Sequence, residues 1–250
     1  MPISPKRMPF FEHFGELRRR LAIIAAVILV GSVALYWEAP RIYTYFMAPI
    51  LPYFGGTDLV LLGPFEGFTL RFKVALYATL MLGSPIIIWQ VFGFFLPALR
   101  PKEQKWVIPT FAAMAVLFAA GAYVGHTYVL GTAFGWMVAQ AWEGVQVLPD
   151  AGRYFQGAVL LVLGFGLSFQ LPVVVFYLVL FEIVPYAKLR ENWRIAYVTL
   201  LVFASVATPD WSPVSMGLMF GALLALYELS LLFARIVLSK RIARQAVLEE

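Results

Sequence analysis

The chain has 250 residues, of which 62% are hydrophobic and 13% charged, with a formal net charge of +5. A soluble domain carries about a quarter charged residues and could not hide that much apolar surface, so a soluble globular fold is excluded. The absence of cysteine removes disulfides, thiolate nucleophiles and Cys-based metal sites, and His13 and His126 lie in separate segments that suggest no metal pair.

Six apolar stretches predict an all-α, polytopic membrane protein with six transmembrane helices, a single membrane domain over residues 1–250. The spans are expected at about 21–37, 74–99, 106–130, 154–181, 195–207 and 214–238. Four are long enough for a hydrocarbon core of ~30 Å at ~1.5 Å per residue, and the first sits at the short limit of about 17 residues.

Before the first span, over residues 8–20, Phe10, Phe14, Leu17 and Leu21 recur at helical spacing, with Glu12, His13, Glu16, Arg19 and Arg20 on the other side. This predicts an amphipathic helix that lies at the inner membrane surface and bends into the bilayer. Glu16 and Arg20 are four residues apart, which a solvated helix pair explains without any function. Tyr36, Trp37 and Glu38 close the first span where a cleaved signal would have small residues, so it reads as a retained anchor.

Between the first two spans, Pro40, Pro49, Pro52, Gly55, Gly56, Gly63 and Pro64 predict an outer cap of turns and short helices. After the third span, Phe134, Trp136, Met137 and Trp142, with nearby Glu143, predict a helix resting at the outer interface. Span four contains Gly157, Gly164 and Gly166, then Ser168, Gln170 and Pro172. The proline should bend the helix. Gln170 must hydrogen-bond within the protein or to water, either as an interhelical packing contact or as a polar site on a concave face.

Span five is short: Ile195 to Ala207, bounded by Arg194 and by Pro209 with Asp210, would reach only ~20 Å. In span six Glu228 comes 14 residues after Val214. Either Glu228 sits at the inner interface, or a short pair of helices thins the bilayer.

Placing the N-terminus in the cytoplasm puts fifteen of the 19 Lys and Arg residues on that side and leaves Arg41, Arg71, Lys73 and Arg153 outside. This bias orients the chain and brings both termini to the cytoplasmic side. The positive charge is explained by topology and anionic lipid headgroups of the bilayer, with no nucleic-acid partner. The spans offer serines but no histidine near them and no pair of deep acids, so no catalytic site is expected and the chain is not read as an enzyme.

Five segments make the chain resemble the TatC family, the C subunit of the twin-arginine protein translocase. They are Glu12-His13-Phe14-Gly15-Glu16-Leu17-Arg18-Arg19-Arg20-Leu21, Gly63-Pro64-Phe65-Glu66-Gly67-Phe68, and Gln90 to Leu99 with Phe94, Pro97 and then Glu103. The others are Phe165 to Val173, with Gln170 and Pro172, and Thr208-Pro209-Asp210 followed by Leu226-Tyr227-Glu228. Pro49 in the outer cap is a further motif position.

The resemblance implies a glove-like, concave bundle in a bacterial or archaeal cytoplasmic membrane, and a cytoplasmic receptor site for twin-arginine signal peptides of folded precursor proteins. It implicates Glu16 and Glu103, with Arg18, Phe94 and Glu12 on the same surface. A carboxylate accepts the guanidinium fork bidentately, and a second carboxylate can demand a second arginine. The family commonly has glutamate where this chain has Gln170, which retains hydrogen bonding but loses the charge. The resemblance further implies single-span TatA/TatB-type partner subunits docking on spans five and six, a homo-oligomer within a hetero-complex, energy from the proton-motive force, and no cofactor or metal. A small-solute secondary transporter is the alternative, since it too would use broken helices and Gln170; it usually carries two related halves, and no internal repeat is evident here.

Overall fold

In a computed structural model, residues 10–54, 59–95, 107–142, 148–181, 183–208 and 212–239 are described, with backbone alone at 10–13 and 95. Among these residues eleven α-helices follow in order: α1 (Phe10–Leu35), α2 (Ala39–Met47), α3 (Glu66–Leu82), α4 (Ser84–Phe95), α5 (Val107–Val124), α6 (Leu130–Val138), α7 (Ala151–Ser168), α8 (Leu171–Leu180), α9 (Tyr186–Glu191), α10 (Trp193–Ala207) and α11 (Pro213–Val237). Among the described residues the only β-pairing is an isolated parallel bridge between Val60 and Asp150.

Among the described residues, three helical stretches are each long and apolar enough to cross a membrane: Val107–Val138, Ala151–Leu180 and Pro213–Val237. Two bent pairs also qualify when each pair is taken together, α1 with α2 at 92° and α3 with α4 at 56°. Helix α10 is apolar but has 15 residues, or ~22 Å at ~1.5 Å per residue.

Local chemistry explains where these helices start and stop. Ser212 caps α11 by accepting a hydrogen bond from the Ser215 amide at 3.1 Å, and Pro213 occupies the first turn, where its missing N–H costs nothing. Pro40 does the same in α2 and Pro172 in α8. The expected bend in span four is therefore a break at Phe169-Gln170, immediately before Pro172.

Three boundaries differ from expectation. The amphipathic segment and span one are a single unbroken helix from Phe10 to Leu35, because no proline or helix-breaking pair interrupts that stretch. Span two begins at Glu66 and breaks at Gly83, where Pro85 cannot supply the next backbone donor and a β-carbon on Gly83 would stand 2.6 Å from the Thr79 carbonyl oxygen. The outer-interface helix is the continuation of span three: a π-helical turn, Gly125–Val129, joins α5 to α6 without interruption. Phe134 is thus a buried residue and Trp136 and Met137 are half-buried, whereas Trp142 is exposed.

The chain falls into two compact units. The first comprises Met1–Ala48, Asp58–Val116 and Leu148–Gln156. Here α1 packs along α3 and α4, and α2 packs on α3. Gly31 of α1 lies against the Thr79 side chain of α3. Phe155 is buried, with ring centroids 5.6 Å from Tyr43, 5.9 Å from Phe46 and 6.4 Å from Tyr77, so an aromatic cluster ties α2 and α3 to the start of α7. Val60 accepts from the Ala151 amide at 3.0 Å and donates to the Pro149 carbonyl at 2.9 Å, which pins the loop before α3 to the same place.

The second unit comprises Pro49–Thr57, Leu117–Val147 and Gly157–Glu250. In it α11 packs against α8, α10 and α6. Gly121 and Gly125 face Phe165 and Val162, and Gly166 faces Phe118, so the small residues let two apolar helices approach closely. Large apolar side chains such as Val206, Leu229, Leu232 and Ile236 are exposed, as residues solvated by lipid are.

Candidate functional site

The best-defined polar arrangement joins α1 to α4. Arg20 donates to Oε1 of Glu16 from Nε at 3.1 Å and from Nη2 at 2.5 Å. Its Nη1 reaches the other way, to the carbonyl of Gln90 at 3.3 Å and to the Gln90 side-chain oxygen at 3.5 Å. Helical spacing brings Glu16 under Arg20, while a glycine at position 93 leaves room for the guanidinium: a β-carbon there would collide with it. The two charged side chains are only 20% and 23% exposed, so this pair is held more firmly than the solvated pair expected from spacing.

Other predicted residues are placed as follows. Arg18 is exposed on α1, and Phe94 is half-buried near the end of α4. The side chain of Glu12 and residues Pro97, Glu103, Glu143 and Asp210 lie outside the described residues. Glu66 opens α3, and its carboxylate accepts the backbone amide of Leu62, a local turn closure. Pro49 follows α2, and its carbonyl oxygen would stand 3.1 Å from a β-carbon on Gly131. Gln170 sits at the α7–α8 break and donates to the Gly166 carbonyl at 3.4 Å.

Glu228 on α11 accepts hydrogen bonds from Nη1 of Arg190 at 2.7 Å and from the Tyr197 hydroxyl at 2.7 Å. One turn-neighbour, Tyr227, donates to the Leu189 carbonyl at 2.8 Å. The hydrogen bond from Arg190 to Glu228, reinforced by their charges, raises the arginine's pKa further above its ordinary value. These partners come from α9 and the start of α10, the basic connection after span four. They supply the polar partners that a carboxylate in an apolar helix needs.

In the first unit, Tyr36, Tyr43, Leu61, Phe68 and Arg71 line an apolar groove of about 620 Å³. Tyr43 has a buried hydroxyl that finds no hydrogen-bond partner, and burial together with the charge of Asp150 pushes its pKa up to about 12. Among the described residues no group of three or more His, Cys, Asp and Glu could hold a metal ion.

Sequence reasoning missed Gln90 and Arg190 as partners. Gln90 is a lone amide in an apolar helix, a signal that it meets a polar group from elsewhere; for Arg190 no comparable signal exists, since it stands among several basic residues.

Long apolar helices, broken at glycine and proline and edged by paired charges, define a polytopic α-helical membrane protein. Residues 12–221 match the family described as Sec-independent protein translocase protein (TatC). The chain belongs to that family, and it is a multi-pass inner-membrane protein. It is 32% identical over 232 residues to the Sec-independent protein translocase protein TatC of Deinococcus radiodurans, covering 91% of this chain and 86% of that protein. With the protein of the same name from Carboxydothermus hydrogenoformans it shares 29% identity, over 95% of this chain and 97% of the other. Its fold is similar to a crystal structure described as Twin Arginine Translocase Receptor-TatC, with a TM-score of 0.75, 27% identity, and coverage of 90% of this chain and 98% of that one.

Proposed function

We propose that this chain is the receptor for twin-arginine signal peptides and the core of a translocase that exports folded proteins across the cytoplasmic membrane, with single-span TatA/TatB-type subunits as partners. In this reading it crosses the membrane six times with both termini in the cytoplasm, gathers as a homo-oligomer within the hetero-complex, and binds without a chemical reaction of its own. The proton-motive force drives transport.

The observation that carries the reading is the Arg20 bridge. It ties Glu16 on α1 to Gln90 on α4, the helix that leads directly into the segment bearing Glu103. Recognition of two adjacent guanidinium groups needs a second carboxylate beside Glu16, and in this reading Glu103 supplies it. Glu16 accepts two donors of the Arg20 guanidinium on Oε1, which supports a carboxylate at this position as an acceptor for arginine.

The test is cross-linking of the full chain by a signal peptide that carries Arg-Arg or Lys-Lys and a photoreactive group of its own. Glu16→Ala and Glu103→Ala should each weaken capture about tenfold or more, because a charge-assisted hydrogen bond contributes about 1.5–3 kcal/mol. Glu143→Ala should leave capture unchanged. Capture by Glu103→Ala equal to that of the unaltered chain, or uptake of a small solute by the chain alone in liposomes, overturns the reading.

A further inference from the structure

We propose that Arg20 is an intramolecular stand-in for a signal-peptide arginine, occupying Glu16 in the empty receptor and setting a threshold that a peptide must exceed to bind. The inference rests on the receptor reading of Glu16. Both Arg20 donors converge on Oε1, and among the described residues no other hydrogen bond reaches that carboxylate. The carboxylate is therefore already engaged by the group it is proposed to recognise.

The opposite edge of the guanidinium explains how the exchange can occur. Nη1 holds the carbonyl and side chain of Gln90 independently of Glu16, in a seat that Gly93 leaves open. When a peptide arginine takes Glu16, Arg20 keeps those α4 contacts and gives up only its Glu16 side, so no buried cation is left without an acceptor. A receptor populated mainly in the closed, self-paired form binds every ligand of that carboxylate more weakly by one factor, the reciprocal of the open fraction. Arg20 thus weakens Arg-Arg and Lys-Lys peptides equally. The ratio between them is left to the geometry of the two acids, while isolated basic segments fall below the threshold.

The experiment is equilibrium binding of fluorescent Arg-Arg and Lys-Lys signal peptides to the full chain in lipid nanodiscs. Arg20→Gln should tighten both peptides by one common factor of about 3 to 10. Arg19→Gln removes the same charge from an exposed position in the same turn and should change either affinity by about twofold or less. Arg20→Lys, which keeps the charge and stem but loses the fork, should tighten both in the same direction by less, and serves if the glutamine variant does not fold.

Unchanged or weaker binding by Arg20→Gln overturns the inference and makes the arginine a structural strut. Equal tightening by Arg19→Gln and Arg20→Gln also overturns it, since charge alone would then be responsible, as do different factors for the two peptides. An unaltered chain that binds neither peptide sinks the receptor reading and this inference together, whereas normal binding with a flat Arg20→Gln response sinks the inference alone.

Discussion

Gly121 on α5 and Phe165 on α7 approach so closely that a β-carbon on the glycine would stand 2.6 Å from the Phe165 carbonyl oxygen. The obstacle is backbone, which cannot rotate away as a side-chain tip can. Gly125, one turn on, meets the Phe165 side chain and the Val162 backbone, so the pair of glycines forms a flat track for the other helix. Gly121→Ala should destabilise the protein by about 1–3 kcal/mol through overpacking. A thermal midpoint in detergent equal to that of the unaltered chain refutes this close approach. Gly217→Ala on α11, where a β-carbon meets nothing within 4 Å, is the matched control.

Tyr43 provides a pH-dependent prediction. Its ring packs on Phe155, but its buried hydroxyl has no hydrogen-bond partner, and its pKa is raised from 10.0 to about 12, mainly by burial and secondarily by Asp150. A folded pKa above the unfolded one means that the protonated phenol favours folding, a contribution complete below pH 10 and lost as pH rises toward 12. Tyr43→Phe keeps the ring and removes the orphan hydroxyl. At pH 7 it should leave the thermal midpoint unchanged or slightly higher. Between pH 10 and 12 the unaltered chain should lose stability more steeply than the variant, read as parallel melting curves across that range.

Glu228 is predicted to hold the α9 connection against α11. Its carboxylate accepts both Arg190 and Tyr197, and the neighbouring Tyr227 hydroxyl donates to Leu189. Glu228→Ala should speed amide hydrogen exchange across Tyr186–Glu191, while Glu228→Gln, which can still accept from Tyr197, should do so less. Identical exchange in the alanine variant and the unaltered chain would show that the contact does not order this segment. Because Arg190 is exposed, high salt should narrow the difference between the two variants.

Much of the architecture was legible in the residues. Apolar runs placed helices at every expected span, and Pro172 marked the break in the fourth, because a missing backbone donor acts locally wherever it falls. The motif segments identified the family and named Glu16, Gln170 and Glu228. Boundaries were read less well: the amphipathic segment did not bend away from the first span, and the tryptophans after span three did not signal a separate helix, since a π-helical turn absorbs an extra residue without ending a helix.

What the sequence determined by itself was the solvent of this protein, for hydropathy is a property of the chain read in one dimension. Only the tertiary structure decided which groups distant in sequence satisfy these charges. The Arg20 guanidinium lies between a carboxylate four residues back and an amide 70 residues on, and Glu228 finds its partners 38 and 31 residues earlier. A charge in low dielectric must be paired, but which distant group does the pairing depends on helix packing, and no spacing rule encodes that.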